Sequence, residues 1–218
     1  QVIEKSIEKQ NVEDLKASIS TSIQPYDVEK YGDIVRFDGI PGYREIERYW
    51  VNEPFSFISI QFNDQTHDYI YCVIEPELTP FDKMLLDDIY ERSRDVLSYK
   101  DLAEGTNRKD ILSTKVKELV DKYIHDFDFK SFHKILYYII RNNIGFGKID
   151  PLMKDNGIED ISCSGPNTPV YLYHRKYENI KTNIAFEEEE LNSFVFLLAQ
   201  RCGKGISIAK PYLDATLS

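Results

Sequence analysis

Cysteine is scarce in this 218-residue sequence: Cys72, Cys163 and Cys202 are an odd number, far apart, with no C-x-x-C pair. That excludes a disulfide framework and leaves no zinc or redox spacing, so all three read as reduced, mostly buried thiols. Long hydrophobic runs are also missing. No uninterrupted apolar stretch approaches the roughly 18 residues of a membrane-spanning helix, so nothing in the sequence is expected to cross a bilayer. Residues 1–10 carry Glu4, Lys5, Glu8 and Lys9 and lack the apolar centre of a secretory signal, which makes the expected location cytoplasmic. Positive charge is in deficit, with 27 Lys and Arg against 37 Asp and Glu and a formal net charge of -10. Such a balance repels phosphate backbones and disfavours broad nucleic-acid binding.

The usual catalytic patterns are absent as well. A phosphate-binding loop needs G-x-x-x-x-G-K-[ST], because its first glycine opens a nest of amides and the final hydroxyl reaches magnesium. At Gly145–Lys148 the first glycine is replaced by Asn142 and the hydroxyl by Ile149; at Cys202–Ser207 they are replaced by Leu198 and Gly205. Both stretches read as helix-ending glycines beside a lysine. His67, His125, His133 and His174 lie too far apart for an H-E-x-x-H metal pair, and no metal site is expected. Ser164 and Gly165 form no G-x-S-x-G elbow, and Cys163 has no local base. Glu159 and Asp160, between Ile158 and Ile161, are either an acid–base pair or solvated, capping carboxylates. No catalytic residue is assigned.

What the sequence does have is aromatic weight and clear periodicity. Fifteen Tyr and twelve Phe supply either wide core contacts or a surface for protein partners. Residues 1–40 are polar and weakly periodic, reading as a mobile arm or one loose helix. From Ile46 the runs I-E-R-Y-W-V, F-S-F-I-S-I-Q-F and D-Y-I-Y-C-V-I predict a three-stranded antiparallel meander. Thr79 then caps a helix with Pro80 at its first position, and Leu85, Leu86, Ile89 and Val96 give it an apolar side expected to cover that sheet. After a turn-rich break at Glu104–Asp110, one helical stripe runs from Ile111 to Ile124 and a second from Phe132 to Ile140. Strands I-E-D-I-S, P-V-Y-L-Y-H and N-I-K-T-N-I make a second small sheet, followed by a helix led by Glu187–Glu190 and stopped by Gly203 and Gly205. The expected fold is α+β: two small sheet-plus-helix subdomains, 41–104 and 149–218, joined by a helical middle section at 105–148.

The order of D-P-L, I-E-D-I-S, Y-H-R-K-Y, T-N-I, L-A-Q-R-C-G-K and P-Y-L-D-A-T-L between Gly145 and Leu217 resembles the segment that precedes the motor domain in type II and type IV secretion ATPases. The likeness is greatest to the archaeal pilus-assembly and archaellum members, and it covers about the last third of the chain. In that family the stretch resembling Asp214–Leu217 leads into P-D-G-S-R and then the motor, whereas here Ser218 stands in place of the proline. The resemblance implies a non-catalytic N-terminal domain of a hexameric ATPase, with ATP and Mg held by a motor domain beyond this chain. Implied partners are that motor domain, neighbouring subunits of the homo-hexamer and a membrane platform protein, at the inner face of the cell membrane. The family also places basic side chains at the ring's nucleotide; Arg175 in Y-H-R-K-Y is the leading candidate, followed by Lys176, Arg201 and Lys204. The alternatives are a free-standing interaction adaptor and a small hydrolase using Glu159 and Asp160.

Overall fold

The computed structural model describes residues 23–93, 108–123 and 128–205. The chain divides into two compact units, Gln1–Arg36 with Glu75–Phe146, and Phe37–Ile74 with Gly147–Ser218. Where the sequence pattern suggested a break near residue 104, the chain passes between units at Arg36/Phe37, Ile74/Glu75 and Phe146/Gly147.

The first unit is helical. Helix α1 is the single turn Val28–Tyr31, α2 spans Pro80–Ser93, α3 Arg108–Tyr123 and α4 Phe129–Asn143. Thr79 starts α2 as expected: its Oγ1 accepts from Asp82 N at 3.1 Å, and Asp82 Oδ2 accepts from Thr79 N at 2.9 Å. That reciprocal pair satisfies two helix-start donors, with Asp in the place a capping box usually gives to Glu. Asp128 caps α4 by accepting from Ser131 N at 2.9 Å.

The apolar sides of the three long helices meet in one cluster: Leu85, Leu86 and Ile89 from α2, Leu112, Val116 and Val120 from α3, and Phe132, Ile135, Leu136 and Ile139 from α4. Each fully buried Ile or Leu contributes about 1.5–3 kcal/mol, which is why these positions repeat at helical spacing. Helix α2 was expected to cover the sheet; its buried residues join those of α3 and α4 instead. Val96, Ile124 and residues 104–107 of the expected break lie outside the described residues.

Residues 1–22 of the expected arm also lie outside the described residues. The described part is packed, because Tyr31 stacks on Phe129 at 4.3 Å, Tyr26 donates to Gly32 O at 2.8 Å, and Ile34 and Val35 are buried.

The second unit holds the six strands of the described residues: β1 Arg44–Asn52, β2 Ser56–Asn63, β3 Asp68–Ile74, β4 Ile158–Ser162, β5 Pro169–His174 and β6 Glu178–Ala185. A short 3₁₀ turn at Gly147–Ile149, helix α5 at Asp150–Met153 and helix α6 at Glu188–Arg201 complete it. The α+β class is as expected, and so are the two meanders. The difference is that they form one sheet in the order β1-β2-β3-β6-β5-β4, joined by parallel pairing of β3 with β6. Two separate meanders would leave the backbone groups of β3 and β6 as open edges, and pairing them at Ile70↔Lys181 and Tyr71↔Thr182 covers part of each.

Register sets the faces. Ile60 pairs with Tyr71, Tyr71 with Thr182, and Leu172 with Ile180, so these residues share one face, and all are buried. On β5 burial alternates strictly, leaving Tyr171 and Tyr173 exposed on the opposite face. Where β1 meets β2 that opposite face is covered by polar contacts: Glu45 accepts from Ser59 Oγ at 2.6 Å and from Gln61 Nε2 at 3.3 Å, and pairs with Arg48 at 2.7 Å. The thiols fit the sequence reading only in part. Cys72 is buried and its pKa is pushed up to about 12 by burial, whereas Cys163 is exposed and Cys202 half-buried.

Candidate functional site

The turn from β5 to β6 carries the first two candidate cations, Arg175 and Lys176. Its base is His174, a buried ring whose Nδ1 accepts from Lys176 N at 3.1 Å. Beside it, Arg175 N donates to Gly157 O at 2.9 Å, fastening the turn to the loop before β4. Gly157 has no side chain for a steric reason: a Cβ there would lie 2.4 Å from His174 Nε2.

The loop before β4 is fixed in turn by Asp155. Its Oδ1 accepts from Gly157 N at 2.7 Å, and its Oδ2 accepts from Tyr49 Oη and Tyr71 Oη, each at 2.6 Å. Burial, followed by these bonds to the carboxylate, holds both phenols protonated far above the ordinary tyrosine range. Charge-assisted bonds of this length are the strong kind, so Asp155 ties β1 and β3 to the start of β4.

Glu47 on β1 anchors the turn from the other side. Its Oε2 accepts from Lys176 Nζ at 2.7 Å and from Tyr177 Oη at 2.5 Å. These bonds, with the Lys176 contact first, hold the Glu47 carboxyl below its usual value, and the contact with Glu47 raises Lys176. Lys176 also lies over the Tyr177 ring at 5.2 Å. Arg175 has one such contact where Lys176 has two: Arg175 Nε to Glu159 Oε1 at 3.1 Å is a pair between side chains 66% and 47% exposed, and the Lys176–Glu47 pair is nearly as open at 61% and 38%. An ion pair that open is worth about 0–1 kcal/mol, so the guanidinium can exchange partners at little cost.

The other two candidates stand elsewhere. Arg201 is the last residue of α6, where a cation suits the helix dipole, and Lys204 is exposed just beyond, its N–H bonded to Ala199 O at 3.0 Å. Of the four residues, the fold thus places Arg175 and Lys176 on one turn, and Arg201 and Lys204 at one helix end. Glu159 and Asp160 are both exposed on β4, and Glu159 is taken by Arg175. Among the described residues no group of three or more His, Cys, Asp and Glu side chains could hold a metal ion, and no helix is long and apolar enough to cross a membrane.

The residues that build the turn's support, Glu47, Tyr49, Tyr71, Asp155, His174 and Tyr177, were not singled out from sequence as a site. The one local signal was D-N-G at 155–157, where an Asx side chain bonds the amide two residues on.

With this geometry in hand, likeness to other proteins sets the class. Residues 5–77 match the family model described as PilB3-like, N-terminal, which makes this part of the chain a domain related to the N-terminal domains of pilus-assembly ATPases. The match falls on the region where the sequence motifs were least specific, and it takes in β1 to β3.

The chain is also 40% identical over 181 residues to the uncharacterized protein MJ1288 of Methanocaldococcus jannaschii, covering 80% of this chain and 72% of that protein. It belongs to the same family as MJ1288. Protein MJ0900 of the same organism is 31% identical over 168 residues, but there the match spans 67% of this chain and only 30% of the relative.

Proposed function

We propose that this chain is the non-catalytic N-terminal part of a type IV pilus, archaellum or secretion ATPase. It would couple ATP hydrolysis in a motor domain to a membrane platform at the inner face of the cell membrane. The observation that carries this reading is the PilB3-like match over residues 5–77, supported by the motif order from Gly145 to Leu217 at the other end of the chain. ATP and Mg would belong to the motor, and the ring of six to the whole protein.

Within that reading Arg175 is the residue best suited to meet a nucleotide phosphate of the ring. It stands at the tip of a braced turn, and its only described ionic partner is an exposed carboxylate. Lys176 is engaged twice, by Glu47 and by the Tyr177 ring, and serves to hold the turn. The test is Arg175→Ala in the full-length ATPase. The reading expects a loss of ATPase rate with nucleotide-free stability unchanged, and an unaltered rate would remove Arg175 from the site.

One observation favours a second reading, that of an adaptor without a motor. The match leaves roughly 70 residues of MJ1288 unaligned, less than an ordinary domain of about 100–150 residues. A family member of that size has no room for a motor in the same chain, so some members would work as separate interaction modules.

A further inference from the structure

The sheet changes character at its middle. β2 and β3 face each other over seven Cα pairs, from Phe57↔Ile74 to Asn63↔Asp68, and β5 and β6 over five. β3 and β6 share two, Ile70↔Lys181 and Tyr71↔Thr182. Parallel pairing is also slightly weaker per residue than antiparallel pairing.

Past Tyr71 a side chain takes over from the ladder. Asn183 Oδ1 accepts from Val73 N at 2.8 Å, and Asn183 Nδ2 donates to Val73 O at 2.9 Å, copying the two bonds that a neighbouring strand would make. The other ties across this line are side chains too. Tyr49 and Tyr71 from the first meander hold Asp155 from the second half, and Glu47 from the first holds Lys176 and Tyr177 from the second. Side chains thus carry much of the stitching between the halves.

The geometry points to a built-in joint: the sheet opens locally along the β3–β6 line while β1–β2–β3 and β4–β5–β6 each stay whole. Protein segments open in cooperative units whose free energies follow the contacts they break, and here the break costs two register pairs, the side-chain bonds just named and the exposure of the buried Tyr71 and Thr182. β3 forms one lip, and its last residue leads directly into the inserted segment 75–146. Opening also releases Lys176 and Tyr177 from Glu47, so the same motion would free the cations of the β5–β6 turn. The joint itself rests only on the sheet and stands whatever that turn contacts.

Native-state hydrogen exchange on the folded chain tests this. The amides that bond across β3–β6, with Val73 N as the main probe, are expected to exchange about tenfold or more faster than those of the β2–β3 ladder. Asn183→Ala removes both Asn183–Val73 bonds and should speed Val73 by a further tenfold or more, while changing β2–β3 amides less than about twofold. Equal protection across β3–β6 and β2–β3 in the unaltered chain would overturn the proposal, and so would an equal speeding of every strand in the variant. Should Asn183→Ala fail to fold, Tyr49→Phe, which removes one of the two donors to Asp155, is expected to give the same local pattern.

Discussion

Replacing Gly157 by alanine puts one methyl group where the structure has no room. The new Cβ would stand 2.4 Å from His174 Nε2 and 3.1 Å from His174 Cε1. His174 cannot simply swing away, because it is buried and its Nδ1 accepts from Lys176 N at 3.1 Å. Nor is the loop free to shift, since Gly157 N and Gly157 O are bonded to Asp155 and Arg175 N. Overpacking of this kind costs about 1–3 kcal/mol, and a buried ring bonded at Nδ1 beside a loop bonded on both sides argues for the upper half of that range. Urea unfolding of Gly157→Ala should show that loss with an unchanged slope. In a His174→Ala background the closest contact is gone and only Asp155 Oδ1, 3.1 Å from the new Cβ, still crowds it, so the same substitution should cost about 1 kcal/mol or less. An equal cost in both backgrounds would refute the steric account.

The remaining predictions concern charge and burial. The buried Arg141 pairs at 2.6 Å with the half-buried Glu75, to which Tyr137 Oη is also bonded, so Arg141→Ala should cost about 2–4 kcal/mol in chemical denaturation. Burial pushes the His133 pKa down to about 4, so the unfolded chain takes up the proton first. Stability should therefore be complete above about pH 6.5 and fall as pH drops toward 4, a slope that His133→Gln should flatten. Tyr71→Phe leaves Asp155 with one donor fewer and should cost about 1–3 kcal/mol, while ultraviolet titration of the unaltered chain should find a tyrosine that resists ionisation well past pH 10. Glu159→Ala should change stability by less than about 0.5 kcal/mol, because its pair with Arg175 is exposed.

Much of the local structure was legible in the sequence. Thr79 and Pro80 announce α2, the D-Y-I-Y-C-V-I run is β3 to the residue, and the Glu-rich start and Gly203 bracket α6. These features depend on neighbours a few positions apart, where propensity and periodicity act. The joining of the two meanders depends on β3 meeting a strand 110 residues away, and no hairpin turn advertises that pairing. The support of the Arg175 turn was hidden for the same reason. Tyr49 and Tyr71 read as ordinary aromatic strand residues until Asp155, 106 and 84 positions on, is brought against them. Arg175 itself was legible as a basic turn residue. That it meets one exposed carboxylate while Lys176 meets both Glu47 and the Tyr177 ring is a fact of the fold alone.

The most direct measurement is to read the parent gene past the codon for Ser218 and test its full-length product for ATP hydrolysis. The account predicts a G-x-x-x-x-G-K-[ST] motif within roughly one domain length, about 100–150 codons, and an ATPase whose rate depends on Arg175. A reading frame that closes without that motif, and a product with no ATPase activity, would contradict the motor-coupled role and leave the adaptor.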